Sequence, residues 1–298
     1  MSAPSLAVLA PAKINLGLEI LGKRIDGYHE VVTLLQAVRL TDTVRIRLVP
    51  KPGITLEVRP AGLDLGPEAE NLAVRAAHLI PAHRGPQGVH ICLEKRIPVG
   101  AGLGGGSADA AAVLVGLSLL RRGGFSPELL EDAAASLGSD VPFFIRGGTQ
   151  LGVGRGDKLR PAPAWPGRHL VLVYPNCSLS TASIYRQATF GLTSPGPLSS
   201  LRSRGFSRDF WQAHGSSLRN DLEAAVLDAE PAVGCVLGEL RAMGCGTAQV
   251  TGSGSAVFGI APDSASAAAW SEYFCRKGFW SQAARPARGG CSVRQWRG

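Results

Sequence analysis

The chain lacks several features that mark large classes of protein. Its six cysteines form no C-x-x-C pair and stand at no spacing from histidine that is typical of a zinc site, so we expect reduced thiols in a cytoplasmic protein. No apolar run approaches the roughly 20 residues needed to span a bilayer. The longest run, residues 110–120, is interrupted by Gly116 and Ser118. We therefore expect a soluble protein without a membrane partner.

Acidic residues are scarce relative to basic ones. The 298 residues include 31 Lys and Arg against 23 Asp and Glu, a formal net charge of +8. Six of the basic residues and no acid fall within residues 276–298, so the remainder of the chain carries only +2. That segment also holds Trp280 and Trp296, and we interpret it as a basic, poorly ordered extension of a nearly neutral globular body. Basic residues with tryptophans also fit an RNA contact, and we favour a solvated terminal extension because no recognised motif accompanies them.

Apolar residues are plentiful enough for a folded protein, because 45% of the chain is hydrophobic and 18% is charged. Hydrophobic periodicity predicts strands at residues 5–11, 14–21, 30–38, 42–48, 54–58, 89–93, 169–174 and 256–260. It predicts helices at residues 67–79, 108–121, 126–137, 218–226 and 232–243. The strands and helices follow no regular βαβ repeat, which favours an α+β chain in two lobes. We place the lobes at residues 1–160 and 161–275, with the basic tail at 276–298.

The most informative stretch is residues 94–109, which read EKRIPVGAGLGGGSAD. Five glycines fall within seven residues, and a long apolar helix is predicted directly after them. Glycine lets consecutive backbone N–H groups close around an anion, and the helix adds its unpaired N–H groups and the positive end of its dipole. The stretch matches neither the GxxxxGK[ST] loop nor the dinucleotide fingerprint. It predicts a phosphate-binding loop, and a simple tight turn is the alternative.

Two further motifs accompany this stretch, PAKINLGL at residues 11–18 and VTGSGSAVF at residues 250–258. In order and spacing, the three resemble the signatures of the GHMP kinase superfamily over most of residues 8–260. The segments DGYHE (26–30) and GSDVPFF (138–144) resemble the branch that phosphorylates the 2-hydroxyl of a cytidine-diphosphate-linked methylerythritol in the non-mevalonate route to isoprenoids. The resemblance implies an N-terminal lobe like the second domain of ribosomal protein S5, a ferredoxin-like C-terminal lobe and an active site in the cleft between them.

The resemblance also implies two catalytic residues. Asp140 would accept the proton of the substrate hydroxyl, and Lys13 would hold that carboxylate ionised. Lysine is otherwise scarce here, with six residues against 25 arginines. Without the resemblance, Asp140 reads as an acid that caps a turn and Lys13 as an exposed strand residue. Asn15, two residues after Lys13 and so on the same strand face, would contact the substrate near the reacting hydroxyl.

Three ring-bearing residues are expected to bind the cytosine base of the substrate. By resemblance, Tyr28 would cover one face of the base and His29 would contact its polar edge. Tyr185 would close the other face, which is a favourable stacking geometry. From the residues alone, Tyr185 is equally well explained as a core tyrosine and His29 as a structural histidine.

The resemblance implies ATP and Mg²⁺ as cofactors, because phosphoryl transfer needs metal charge to offset the triphosphate. Asn71 and Lys95 are expected to contact the nucleotide, and Ser107 is the candidate metal ligand. The remaining expected ATP contacts come from the glycine-rich loop (residues 98–107) and its next two residues: Pro98, Val99, Gly100, Ala101, Gly102, Leu103, Gly104, Gly105, Gly106, Ser107, Ala108 and Asp109.

Two other functions stay open at this point. One is another GHMP enzyme, such as a homoserine, mevalonate or phosphomevalonate kinase or a related decarboxylase. Tyr28 and His29 argue against it, because those substrates offer no base on which to stack. The other is a non-catalytic basic protein that binds nucleic acid, which the nearly neutral body disfavours. We expect a small-molecule partner, no nucleic acid, and a monomer or homodimer.

Overall fold

The computed structural model describes residues 4–80, 88–121, 125–165, 167–188, 196–202 and 205–294. Within those ranges the chain forms eleven strands and nine α-helices, and the strands make one seven-stranded and one four-stranded sheet. The predicted α+β class is confirmed. No helix in the described ranges is both long enough and apolar enough to cross a membrane.

The first sheet is built around one long antiparallel hairpin. Its first six strands are β1 (Ser5–Lys23), β2 (His29–Val49), β3 (Gly53–Arg59), β4 (Gly88–Glu94), β5 (Thr149–Gly154) and β6 (Lys158–Pro161). The sequence predicted two strands in place of β1 and two in place of β2. Each is continuous in the structure, because irregularities in the pairing of β1 with β2 absorb Pro11 and the other breaks in the pattern.

One of these irregularities decides which side chains of β1 reach the site. Residues opposite each other in an antiparallel pair lie on the same face of the sheet. Val8 is opposite Val44, and Lys13 is opposite Ala37; both partners belong to the core on the helix-covered face. A strict period of two would put Val8 and Lys13 on opposite faces. The register shift between Pro11 and Ala12 brings Lys13 onto the helix-covered face.

Four helices cover that face. They are α1 (Leu72–His78), α2 (Gly105–Leu120), α3 (Pro127–Leu137) and α4 (Val141–Arg146). Helix α2 is apolar on nearly all sides because it is buried between the sheet and the other three helices. It lies so close to the sheet that a Cβ at Gly116 would stand 2.5 Å from Ile46 Cδ1.

The second sheet is antiparallel, in the order β10-β7-β9-β8. Its strands are β7 (His169–Tyr174), β8 (Ala248–Val250), β9 (Val257–Ala261) and β10 (Trp280–Ala284). The helices of this lobe are α5 (Thr181–Gln187), α6 (Phe210–His214), α7 (Glu223–Ala229), α8 (Pro231–Ala242) and α9 (Ser264–Arg276). Ile14 of β1 shares one core with Leu172 of β7 and Phe258 of β9, so the two lobes are packed together.

The structure corrects the interpretation of the basic tail. Residues 276–298 were expected to be poorly ordered, yet β10 belongs to the second sheet and β11 (Ser292–Arg294) pairs with β1 in the first. Between them, the N–H of Cys291 donates to Phe144 O (2.8 Å), and a Cβ at Gly290 would stand 2.2 Å from that same oxygen. Backbone hydrogen bonds and close glycine packing hold this segment, and composition does not reveal either. Residues 295–298, with Trp296, lie outside the described ranges.

Candidate active site

A cavity of about 1100 Å³ opens between the two lobes. All eight site residues predicted outside residues 98–109 line it: Lys13, Asn15, Tyr28, His29, Asn71, Lys95, Asp140 and Tyr185. The stretch from Pro98 to Asp109 lines it too, apart from Leu103 and Ala108, whose side chains are buried in the core. The sequence thus predicted residues from both lobes that the fold brings to one place.

The glycine-rich loop alternates left-handed glycines with buried apolar residues. Gly100, Gly102 and Gly104 all have φ between 70° and 80°, while Ala101 and Leu103 are 1% exposed. A Cβ at Gly102 would stand 2.6 Å from Thr251 O, so the loop can approach the third motif only with glycine there. The apolar side chains fix the loop in the core, which leaves its backbone to face the cavity.

Strand β1 and the third motif hold the loop from either side. The N–H of Lys13 donates to Leu103 O (3.0 Å), and the N–H of Ala256 donates to Ala101 O (3.0 Å). The N–H of Thr251 in turn donates to Ala256 O (3.0 Å), which closes the turn at residues 251–256. The three sequence motifs therefore form one hydrogen-bonded unit.

Helix α2 begins at Gly105, inside the loop. The first helical hydrogen bond at this end runs from the N–H of Ala108 to Gly104 O (2.9 Å), and the first turn holds no acidic residue. The N–H groups of Gly105, Gly106 and Ser107 precede it and have no partner within the helix. These groups, the helix dipole and the Ser107 hydroxyl at the cavity wall make a site for phosphate oxygens.

Lys13 and Asp140 meet beside this loop. Lys13 Nζ lies 3.5 Å from Asp140 Oδ2 and donates to Asn15 Oδ1 at 2.6 Å. The Lys13 side chain is 5% exposed and that of Asp140 is 41% exposed, so the ammonium is buried while the carboxylate faces the cavity. A Cβ at Gly104 would stand 3.1 Å from Lys13 Cγ, which shows how closely the glycine-rich loop approaches the pair.

Helix α4 presents Asp140 to the cavity. Asp140 is the residue before the helix, and Pro142 occupies the first turn, where a missing N–H costs nothing. With the whole of α4 described, the Asp140 carboxylate makes no capping hydrogen bond to it. The simple capping role that the sequence left open for Asp140 is therefore absent, and its oxygens remain available.

Two threonines outside the predicted site residues orient Asn15. Asn15 Nδ2 donates to Thr33 Oγ1 (2.8 Å), and the Asn15 backbone N–H donates to Thr251 Oγ1 (2.9 Å). The Thr33 hydroxyl donates to Gly17 O (2.9 Å). These bonds turn the Asn15 carbonyl oxygen toward Lys13. Thr251 lies in a motif that the sequence displayed, whereas Thr33 carries no local signal.

His29 and Tyr185 form one ring pair across the lobes. Their ring centroids are 5.1 Å apart and their planes are tilted by 30°. Burial, and then the charge of Lys23, lower the pKa of His29, which favours the neutral imidazole at pH 7. Burial, and then the charge of Asp140, raise the pKa of Tyr185 well above its ordinary range, so its phenol stays protonated.

Tyr28 is largely exposed and takes a different neighbour. Its ring is covered by the guanidinium of Arg155, whose carbon lies 5.1 Å from the ring centroid. Arg155 also binds Asp157, with Nη2 2.8 Å from Oδ2, and its side chain contributes to the cavity wall. Sequence reasoning did not identify Arg155, which lies outside every motif.

Two residues expected to contact the nucleotide also have internal partners. Asn71 caps α1, its Oδ1 accepting from the N–H of Ala73 at 2.9 Å. Lys95 Nζ donates to Asp42 Oδ2 and to Asp109 Oδ2, each at 2.5 Å. Burial opposes the charged form of Lys95, but the charges of Asp109 and Asp42 outweigh it and raise its pKa.

Asp109 is the least satisfied member of that cluster. Burial and the neighbouring charge of Asp42 raise the pKa of Asp109 to about 7, although Lys95 acts in the opposite direction. Among the described residues, Asp109 Oδ1 has no hydrogen-bond partner. The surroundings of this carboxyl group therefore favour its neutral form more strongly than water favours the neutral form of an exposed aspartate.

Comparison with known proteins places the sequence of this chain in one superfamily. Residues 71–148 match the GHMP kinases N terminal domain and residues 206–278 match GHMP kinases C terminal. The chain is 43% identical over 263 residues to the 4-diphosphocytidyl-2-C-methyl-D-erythritol kinase of Pelotomaculum thermopropionicum, covering 88% of this chain and 91% of that protein. It is 44% identical over 267 residues to the kinase of the same name from Gloeobacter violaceus, covering 87% of each.

Solved structures agree with the sequence matches. A crystal structure of 4-(cytidine 5'-diphospho)-2C-methyl-D-erythritol kinase superposes with a TM-score of 0.76 at 37% identity, covering 95% of this chain and 99% of that one. The homoserine kinase of Cytophaga hutchinsonii reaches 0.74 at 18% identity, covering 98% of each chain, and shares the fold. The two-lobed GHMP kinase fold and the resemblance drawn from the motifs are confirmed. The chain belongs to the 4-diphosphocytidyl-2-C-methyl-D-erythritol kinase family of the GHMP kinase superfamily.

Proposed function

We propose that this chain transfers the γ-phosphoryl group of ATP to the 2-hydroxyl of 4-diphosphocytidyl-2-C-methyl-D-erythritol. The products are the 2-phosphate and ADP, in the non-mevalonate route to isoprenoid precursors. The observation that carries the proposal is the Lys13–Asp140 pair, which lies in a cavity lined by both the phosphate loop and the Tyr28–His29 segment. The family membership of the chain supports the same reaction.

The proton of the substrate hydroxyl goes to Asp140. Its carboxylate faces the cavity without a capping bond, and the Lys13 ammonium lies 3.5 Å away. Asn15 Oδ1 accepts from Lys13 Nζ and so fixes the ammonium. A general base of this kind contributes about 10²- to 10⁴-fold to a rate.

The phosphates of ATP bind the N–H groups of the glycine-rich loop and the start of α2. Phosphoryl transfer depends mainly on positioning and charge stabilisation, which preorganised N–H groups supply without reorganisation. Ala101 and Leu103 hold these groups in place from the core. Asn71 and Lys95 line the same cavity and are the further nucleotide contacts.

The residues fit Mg²⁺ that arrives with ATP. Among the described residues there is no group of three or more His, Cys, Asp or Glu placed to hold a metal. Mg²⁺ in kinases needs no such cage, since it keeps several waters and binds substrate phosphates with only one or two carboxylates. The Ser107 hydroxyl, at the cavity wall beside the N–H groups of α2, would be its protein ligand. When bound, the ion offsets the charge of the triphosphate.

The cytosine base binds at Tyr28, His29 and Tyr185. A neutral imidazole carries one donor and one acceptor, which suits the mixed polar edge of cytosine. The exposed Tyr28 ring offers a stacking face, and the His29–Tyr185 contact fixes the imidazole plane. Asn15 is the substrate contact nearest the reacting hydroxyl.

We also propose that the lobes divide near residue 160, between β6 and β7. The two family matches fall on either side of that point, and the second lobe extends through β10. We place the enzyme in the cytoplasm, as a monomer or homodimer.

A coupled kinase assay tests the function. The purified chain is given ATP and Mg²⁺ with 4-diphosphocytidyl-2-C-methyl-D-erythritol, homoserine or mevalonate, and we expect turnover only of the first. Turnover confined to homoserine or mevalonate would assign the chain to another GHMP reaction. Salt-sensitive RNA binding without any ATP turnover would support the nucleic-acid alternative instead.

A further inference from the structure

A buried cluster of three charged residues lies beneath the glycine-rich loop. Asp42, on β2, is fully buried. Its Oδ1 accepts from the backbone N–H groups of Arg96 (2.5 Å) and Ile97 (2.9 Å), the last residues before the loop. Asp42 therefore ties the entrance of the loop to the sheet.

Lys95 extends the cluster to the other end of the loop. Its ammonium donates one hydrogen bond to Asp42 and another to Asp109, which is the fifth residue of α2. A Cβ at Gly105 would stand 3.3 Å from Lys95 Nζ, so the ammonium lies directly against the start of the helix. The Lys95 side chain thus links both ends of the loop, through Asp42 before residue 98 and through Asp109 in α2.

Stability does not explain this arrangement well. Two carboxylates share one ammonium, and the side chains of Lys95, Asp42 and Asp109 are 4%, 0% and 3% exposed. Desolvation of buried ions offsets most of their attraction, and apolar residues of similar volume often stabilise a fold as much. The unpartnered Asp109 Oδ1 adds to the cost. What the cluster supplies, and apolar packing does not, is a fixed geometry between the two ends of the loop.

We propose that Asp42, Lys95 and Asp109 form a positioning brace that holds the two ends of the ATP-binding loop at a fixed separation, and so acts on nucleotide affinity. This inference rests on the proposed use of ATP. Lys95 then serves ATP binding mainly through the loop. Asp42 separates this role from direct contact, because it is not among the described residues of the cavity wall and reaches ATP only through residues 95–97.

The deciding experiment measures the KM for ATP of Asp42→Asn against its KM for the cytidyl substrate. We expect the KM for ATP to rise about tenfold, with the KM for the cytidyl substrate and kcat at saturating ATP near their original values. Lys277→Met is the control matched to Lys95→Met, because it breaks the exposed 2.7 Å pair with Glu239, and neither residue is among the described residues of the cavity wall. The KM values are measured below the Tm of every variant, so that unfolding is not mistaken for a loss of ATP affinity.

Lys95→Met tests the opposite explanation. If Lys95→Met raises the KM for ATP and Asp42→Asn leaves it unchanged, Lys95 is a direct ligand and the brace is refuted. A triple variant, Asp42→Asn with Lys95→Met and Asp109→Asn, leaves no charge in the cluster and keeps the test valid if single variants unfold. A lower Tm with an unchanged KM for ATP would show that the cluster is merely structural. Absence of ATP turnover in the unmodified chain would instead refute the proposed function.

Discussion

Replacing Gly104 with alanine probes how the loop, Lys13 and α4 depend on one another. Gly104 has φ of 75°, in the left-handed region, and a Cβ there would stand 2.7 Å from Phe144 Cζ and 3.1 Å from Lys13 Cγ. Phe144 belongs to α4, the helix that presents Asp140. The added methyl group therefore strains the backbone and pushes on Lys13 and on the helix that presents Asp140.

The two effects are of similar size. A left-handed conformation costs an L-residue about 1–2 kcal/mol, and overpacking a buried site typically costs about 1–3 kcal/mol. We expect Gly104→Ala to lower the free energy of unfolding by about 2–5 kcal/mol, a large share of the roughly 5–15 kcal/mol typical of a folded protein. Turnover should fall as well, because Lys13 and Asp140 no longer keep their separation.

Denaturant unfolding followed by circular dichroism measures the first effect, and the coupled kinase assay measures the second. Gly106→Ala is the stability control: Gly106 lies two residues further, has no positive φ, and a Cβ there meets nothing within 4 Å. Alanine should leave stability unchanged or raise it by up to about 1 kcal/mol. Equal stability of the two variants would refute the packing argument.

Three further predictions concern the catalytic base, the base-binding ring and the buried acid. Asp140→Asn should lower kcat by about 10²- to 10⁴-fold while calorimetry shows an unchanged affinity for a non-hydrolysable ATP analogue; near-normal turnover would exclude Asp140 as the base. Tyr28→Ala should raise the KM for the cytidyl substrate by about tenfold with kcat preserved, and an unchanged KM would exclude stacking on Tyr28. The pKa of Asp109 is raised to about 7 in the fold, so the stability it confers is full below its ordinary pKa and lost as pH rises through about 7. Denaturant titrations should therefore show the unmodified chain losing stability relative to Asp109→Asn as the pH rises from about 4 to 7. The groups that face the Asp109 carboxyl are Lys95, Asp42 and Cys291. Parallel pH profiles of the two proteins would contradict the raised pKa.

Local signals predicted α2 and α3 well. The glycine-rich loop and the apolar run after it gave α2 to within a few residues, and Ser126 with Pro127 marked the start of α3. The motif match named Lys13 and Asp140, which the fold brings to 3.5 Å. The two helices depend on residues close in sequence, because capping and hydrophobic periodicity are local.

Features that depend on distant pairing were not predictable. The register shift between Pro11 and Ala12 depends on how β1 pairs with β2. The alternation of apolar and polar residues along β1 alone does not reveal it. Asp42 lies 53 residues from Lys95 in sequence, so no spacing rule connects them. The short helix α4, whose first turn holds a proline, resembled a turn. Strands β10 and β11 have a composition typical of a loop, and their partners in the two sheets determine their structure.

The placement of β11 has a consequence for how the protein is made. This strand covers the edge of β1 at Ala7–Leu9, yet it is synthesised after every other element of the described structure. During translation the lobe that carries Lys13 and Asp140 therefore waits with an unpaired edge, the kind of surface that pairs with other chains. The active-site lobe is completed only when the segment after α9 has left the ribosome, and a fragment ending at Arg276 would keep that edge open.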